Sequence, residues 1–265
     1  MNQMDLIKEK DFKFKKKFGQ NFLKDENILK KIVDSSKIDN ETLVLEIGCG
    51  AGALTKEILK ETHNYIGYEI DETLRPILDV IDTNIIYGDF LKRNVIEDIK
   101  KYNYGKLYLI ANLPYYITTP IITKIIEDKI DIDKMIIMVQ KEVGARFMAK
   151  PNSKEYNSLT IYLNYYFNVY KLLDVSRNVF VPKPNVDSVV LCFEKIQKKY
   201  TLNNEKMFFK LVKDSFVQKR KTLRNNLKNY DLDKVMIILK NHGFNDTVRA
   251  EQIPIEIFVE ISNNI

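Results

Sequence analysis

Histidine and cysteine are scarce in this chain of 265 residues: His63 and His242, Cys49 and Cys192. Two histidines give no basis for a His-based metal site, and no metal is expected. Two cysteines are no disulfide framework and fit a reducing compartment. No apolar run approaches the roughly 20 residues that a membrane-spanning helix needs. The start lacks an apolar signal core, and Asp5, Glu9 and Asp11 are foreign to a transit peptide. A soluble cytoplasmic protein without a membrane partner is expected. Neither sign of charge dominates: 42 Lys+Arg against 36 Asp+Glu give +6, so the placement of basic residues matters more than their excess. No internal repeat is visible.

What is present is enough apolar material, 45% of residues, to bury a core. The length suits one large domain or a medium domain with a small one. After a basic start, "DENILKKIVDSSKI" has helical spacing, with Asp25 as a plausible cap. Short β-rich runs then alternate with helical patterns. "TLVLEI" (42–47) leads to a helix from Ala53, and "NYIGYEI" (64–70) to one from Glu72. "NIIYGD" (84–89), "KLYLIAN" (106–112) and "KMIIMVQ" (134–140) follow. This alternation predicts an α/β fold, a doubly wound and mostly parallel sheet covered on both faces. "SLTIYLNYYFNVYKLL" and "SVVLCFEK" are strand-like and close together, and could form an antiparallel edge. Beyond about residue 199 only helical periodicity remains, with Pro254 able to open a last helix. The expected division is residues 1–199 and a small all-helical domain over 200–265.

"VLEIGCGAGALTKEI" is a strand, a glycine loop and a helix. Glycines allow a tight turn and close backbone approach, and the helix start offers unpaired amides. A plain glycine turn would fit the loop equally well. Glu46 just before the loop, Glu69 ending the next strand and Asp89 ending the one after shift the balance. They place three carboxylates around the crevice where such sheets bind ligands. A pyrophosphate disfavours so many acids, whereas a cationic nucleoside does not. The pattern leans to S-adenosylmethionine, with its ribose, adenine and sulfonium, over NAD.

"IANLPYYITTPII" (110–122) ends the fourth strand of the series in a stiff proline corner. An exocyclic amine is a poor nucleophile until it pyramidalises, and acceptors aimed at the developing ammonium favour that geometry. The Asn112 side-chain carbonyl and the Leu113 backbone carbonyl could supply two. Pro114 restricts Leu113 to extended conformations and has no competing N–H. Tyr115 would stack on the base, a task for its ring rather than its hydroxyl. A structural corner with a packed tyrosine is the alternative.

These segments closely resemble the ribosomal RNA adenine dimethyltransferases. "FGQNFL" (18–23), "EIGCGAGALT", "EID" (69–71), "GDF" (88–90) and "NLPYYITTP" carry the likeness. So do "VQKEVGARF", "FVPKPNVDS" (180–188), "FVQKRKTLRNNL" (216–227) and "RAEQIP", in order over almost the whole chain. The resemblance implies a Rossmann-like S-adenosylmethionine-dependent methyltransferase domain and a helical RNA-binding domain. It implies cofactor contacts from Asn21, Leu23, Gly48, Glu69 to the ribose, Asp89 to the adenine, and Asn112. Asn112 to Tyr115 would hold the target amine and Phe180 would stack on the target adenine. The implied substrate is small-subunit rRNA in a partly assembled subunit, dimethylated on two adjacent adenosines near its 3′ end by a monomeric enzyme. Cys49 departs from the proline of many relatives, which bears on the rigidity of the turn. Two other readings stay open: the antibiotic-resistance branch acting on large-subunit rRNA, and a catalytically silent assembly factor. "GQNF" and "NLPY" differ from the "SQNF" and "NIPY" of the resistance branch, and an intact site argues against lost catalysis.

Two basic runs remain. "KEKDFKFKKKF" places six lysines in residues 8–17 among phenylalanines, and "QKRKTLRNNLK" holds Lys219, Arg220, Lys221, Arg224 and Lys228 without an acid. On a helix Lys221, Arg224 and Lys228 would share a face, with Leu223 and Leu227 turned inward. One such run is usually a solvated face, but two beside a base-binding pocket favour a phosphate-binding surface, with Arg220, Lys221 and Arg224 as RNA contacts.

Overall fold

The computed structural model describes residues 14–15, 18–82, 84–197 and 199–265. Their strands are Phe22–Leu23 (β1), Thr42–Ile47 (β2), Tyr65–Glu69 (β3), Ile85–Tyr87 (β4), Lys106–Asn112 (β5), Lys134–Gln140 (β6), Phe167–Val175 (β7), Phe180–Val181 (β8) and Ser188–Lys195 (β9). Seven form one sheet in the order β4-β3-β2-β5-β6-β9-β7. The pairings from β4 through β6 are parallel. β9 runs antiparallel to β6, from Lys134↔Glu194 to Gln140↔Ser188. The doubly wound, mostly parallel sheet expected from the sequence is present, and so is the antiparallel strand at 188–195.

The strands read as continuous apolar runs because both faces are covered. β2 is buried along its whole length, the signature of a parallel strand between two helical layers. One layer includes the helix Glu26–Ser36, which turns Leu29, Ile32 and Val33 inward. They join Val44, Ile110 and Ile136 of the sheet in one apolar cluster. Asp25 caps this helix by accepting from the N–H groups of Asn27 and Ile28, as expected. From β2 the chain winds outward to β3 and β4, then crosses to β5 and β6 on the other side. The reversal opens a crevice between the carboxyl ends of β2 and β5, where open α/β sheets bind ligands.

The chain divides into two compact units. One runs to Gly144 and includes Tyr170–Glu194; the other combines Ala145–Val169 with Lys195–Ile265. The second is helical, with helices Ser158–Tyr166, Glu205–Ser215, Leu232–Asn241 and Ile255–Asn264. Its core includes Ile161, Phe208, Leu211, Leu239 and Phe258. Pro254 precedes the last helix, as expected.

Three sequence expectations change here. The first half of "SLTIYLNYYFNVYKLL" is a helix, not a strand. Asn157 accepts from the N–H groups of Leu159 and Thr160, and Thr160 Oγ1 accepts from the Asn157 N–H. This reciprocal capping box starts a helix despite the β-branched and aromatic composition, and burial of Ile161 and Tyr165 retains it. As a result, the helical unit recruits Ala145–Val169 in addition to the tail, so its extent differs from 200–265. The basic run near 220 is also not one long helix. Only Leu223–Asn226 is helical, capped by Thr222, so Lys221, Arg224 and Lys228 have no common helical face. Leu223 and Leu227 do turn inward, and both are fully buried.

Candidate active site

The loop after β2 takes its shape from glycine. Gly48, Gly50 and Gly52 have φ of +78°, +56° and +77°, values that L side chains rarely adopt. Gly50 has a second constraint: a Cβ there would sit 3.1 Å from the Phe22 ring. Phe22 thus lies directly over the loop, bringing the "GQNFL" segment against it. The Gly50 N–H donates to Glu69 Oε2 at 2.8 Å, and the Asp71 N–H donates to Glu69 Oε1 at 2.8 Å. The helix Ala53–Glu61 begins immediately after Gly52.

All three strand-end carboxylates line the crevice, in different states. Glu69 is 5% exposed, and burial pushes its carboxyl up to about 7 despite the two backbone donors. Glu46 is 1% exposed and turns toward the core, where Thr55 Oγ1 and the Tyr65 hydroxyl donate to Oε2 at 2.7 Å. Burial pushes it too up to about 7, and the neighbouring Glu69 adds to the rise. Asp89 is partly exposed and accepts from the Leu91 N–H at 3.0 Å through Oδ1. Neither buried carboxylate has a lysine or arginine partner among the described residues. A ligand carrying positive charge and hydroxyl donors compensates such a pair, whereas a polyanion does not. The donor set therefore fits S-adenosylmethionine.

The expected contact residues Asn21, Leu23, Gly48, Glu69, Asp89 and Asn112 all line this crevice, with Leu113, Pro114 and Tyr115. The loops after β2 and β5 meet there: a Cβ on Gly48 would lie 3.6 Å from Pro114 Cδ and 3.8 Å from the Asn112 carbonyl oxygen. The Asn112 side-chain N–H donates to the Asn21 carbonyl at 3.2 Å. That assigns the amide orientation and keeps Oδ1 as the acceptor. The Tyr115 hydroxyl shares a hydrogen bond of 2.7 Å with Ser188 Oγ, and burial raises its ionisation above the ordinary phenol range.

Phe180 is placed elsewhere than expected. It pairs with Leu23 in a two-stranded sheet, is 2% exposed and belongs to the apolar cluster. It is absent from the crevice lining, because β8 buries it against β1. Arg220, Lys221 and Arg224 are exposed on the helical unit, and Arg224 reaches Asp246 at 3.4 Å. Of the N-terminal basic run, Phe14, Lys15 and Phe18 are among the described residues; Lys8, Lys10, Lys13, Lys16 and Lys17 lie outside them. Lys15 is engaged, donating to Asp71 Oδ1 at 2.6 Å and Thr73 Oγ1 at 2.7 Å. Cys49 is buried with its thiol near the Tyr65 hydroxyl at 3.4 Å, and burial pushes its ionisation well up. Burial of this kind suits packing rather than thiolate chemistry.

Gln20, Asp71 and Ser188 acquire their roles only in the folded chain. Gln20 Nε2 donates to Asp71 Oδ2 at 2.7 Å, so with Lys15 it ties the entering segment to the end of β3. Burial would raise the Asp71 carboxyl, but these donors outweigh it and hold the carboxyl below its usual range. Ser188 is the third. Their signal was motif membership alone, since the partners are 51 and 73 residues apart.

Sheet order, a left-handed glycine loop and an asparagine-proline corner meeting it at the switch point together define an S-adenosylmethionine-dependent methyltransferase. Its relatives narrow the class. The family model described as ribosomal RNA adenine dimethylase matches residues 11–265, and the chain belongs to that family. A ribosomal RNA small subunit methyltransferase A of Bacillus mycoides is 42% identical over 273 residues, covering 98% of this chain and 94% of the relative. One from Bacillus cereus matches equally. Among solved structures, a dimethyladenosine transferase from Plasmodium falciparum aligns with a TM-score of 0.74 at 26% identity, over 91% of this chain and 95% of that one. The 23S rRNA methyltransferase ErmE shares the fold, with a TM-score of 0.67 at 22% identity, over 91% of this chain and 97% of that one.

Proposed function

We propose that the protein transfers methyl groups from S-adenosylmethionine to the exocyclic amines of two adjacent adenosines near the 3′ end of small-subunit rRNA, giving dimethyladenosines during ribosome biogenesis. The observation that carries this reading is the Asn112 to Tyr115 corner at the switch point, with its amide held by Asn21. When bound, the cofactor supplies an activated methyl group. The chain's own task is to bind and orient. Asn112 Oδ1 and the Leu113 carbonyl accept from the target amine, favouring the pyramidal geometry in which its lone pair is free. Pro114, with φ −57° and ψ 130°, fixes the corner. Tyr115 offers a ring face to the base, which must leave its stack to reach the site. Glu69 takes the ribose hydroxyls, Asp89 the adenine, and Asn21, Leu23 and Gly48 line the cofactor's bed. Phe180 serves as a stacking partner only if β1 and β8 rearrange around the RNA.

The helical unit, with Arg220, Lys221 and Arg224, is read as an RNA-binding surface. The substrate is a partly assembled small subunit, and the enzyme acts as a monomer in the cytoplasm. No helix among the described residues is long and apolar enough to cross a membrane.

Primer extension tests the reading, because dimethylated adenine cannot pair normally and stops the polymerase. Small-subunit rRNA from cells lacking the protein should lose the stop at both adenines, and the purified protein should restore it. A stop restored only in large-subunit rRNA would place the protein in the resistance branch. No stop in either RNA, with cofactor bound, would make it a silent assembly factor.

A further inference from the structure

Tyr115 and Ser188 belong to two separate motifs, and nothing in either pattern links them. Ser188 opens β9 opposite Gln140, the last residue of β6, and is fully buried. Its hydroxyl lies 2.7 Å from that of Tyr115. The backbone carrying Ser188 is itself anchored. Asp187 Oδ1 accepts from the N–H and the Nε–H of Arg177, both at 3.0 Å, and the Asp187 carbonyl accepts from the Lys141 N–H at 3.0 Å. The Ser188 hydroxyl is therefore presented from a strand end that is pinned on both sides.

A phenol oxygen lies on the long axis of its ring. Holding that oxygen fixes where the axis points and leaves the ring free to turn about it. The axis direction decides whether the ring stands beside the crevice or swings away by a change of χ1. A side chain ordered in advance spares the incoming base the cost of ordering it, and a misplaced platform costs rate rather than cofactor affinity.

We propose that Ser188 is a positioning residue for methyl transfer, its hydroxyl holding Tyr115 in place before the target adenine enters. The proposal rests on the reading of Tyr115 as the base platform. It differs from a role in stability because it predicts coupling between two hydroxyls in the rate alone.

The test is a double-mutant cycle of Ser188→Ala and Tyr115→Phe. Single-turnover methyl transfer to isolated small subunits is measured at saturating S-adenosylmethionine, beside cofactor affinity by calorimetry. Each single variant should slow transfer about threefold to tenfold, the scale of one neutral hydrogen bond. The double variant should be no slower than the slower single one, and cofactor affinity should be unchanged in all three. Additive losses, or a wild-type rate in either single variant, would overturn the proposal, as would cofactor affinity falling in step with rate. If Ser188→Ala does not fold, Tyr115→Phe decides alone: slowed transfer at unchanged cofactor affinity supports the proposal, and a wild-type rate or a parallel fall in cofactor affinity overturns it. Tyr115→Ala separates the two levels of the argument. Full activity in Tyr115→Ala removes the platform reading itself, whereas an inactive Tyr115→Ala beside a fully active Ser188→Ala removes only the role of Ser188.

Discussion

Asn112 and Asn21 are joined by a hydrogen bond of 3.2 Å from the Asn112 side-chain N–H to the Asn21 backbone carbonyl. The residues lie 91 positions apart, one at the end of β5 and one in the segment entering over the glycine loop. The bond turns an ambiguous amide into one of known orientation, with its N–H end occupied and its oxygen available to an amine. It also links the proposed methyl acceptor site to the segment that lines the cofactor's bed.

Replacing Asn112 by Ala removes the oxygen and the link together. Methyl transfer should fall by at least about a hundredfold, the scale for one preorganised polar group. Single-turnover assays with saturating cofactor and RNA measure it; a loss below tenfold would exclude Asn112 from the chemistry.

Glu69 should control cofactor binding in a pH-dependent way. Glu69→Ala should weaken S-adenosylmethionine binding by roughly 1.5–3 kcal/mol, the scale of a hydrogen bond to a charged group. In the wild type without cofactor, burial holds Glu69 at about 7, and ribose hydroxyls would favour its ionised form. Binding then lowers that value and releases a proton. Affinity should rise with pH up to about 7 and level off above it. Titrations in two buffers of different ionisation enthalpy detect the proton; identical heats would contradict the assignment.

Glu46 should make the cofactor-free protein less stable as pH rises. Its folded-state value of about 7 lies above the ordinary 4.5. A group raised in this way contributes stability that is complete below the unfolded value and is lost as pH climbs through the folded one, here roughly 3 kcal/mol. The melting temperature should therefore fall between about pH 5 and pH 8. Glu46→Gln can still accept from Thr55 and Tyr65 and carries no charge to desolvate, so the slope should flatten, leaving the share due to Glu69. An unchanged slope would show that Glu46 is not the titrating group.

The tail should bind phosphate. Replacing Arg220, Lys221 and Arg224 by Ala should weaken RNA binding and flatten its salt dependence, with cofactor affinity unchanged. Arg224 should contribute less than a free arginine, since it already meets Asp246 at 3.4 Å. Equilibrium binding over a salt series reads this, and a slope identical to the wild type would remove the three residues from the RNA surface.

The alternation of apolar runs with helical periods was legible in the chain itself. β2, β3, β5 and β6 and the helices at Glu26, Ala53 and Leu232 form where local pattern and burial agree. The glycine loop, Glu69, Asp89 and the Asn112 to Tyr115 corner were also legible as candidates, because glycine spacing, strand-end carboxylates and a proline corner are short-range features, whereas Asn21 and Leu23 came from the family resemblance alone. Tertiary packing decided the rest. Whether Ser158–Tyr166 is strand or helix turned on a capping box and on which unit buried it. Phe180 is a stacking candidate by motif, yet its exposure depends on β8 pairing with β1. Lys15 is a phosphate candidate by composition but is held by Asp71. The bonds from Asn21 to Asn112 and from Tyr115 to Ser188 join residues 91 and 73 positions apart. Local propensity acts over a few residues and appears in sequence; the meeting of distant side chains depends on the whole sheet closing, and only the folded chain determines it.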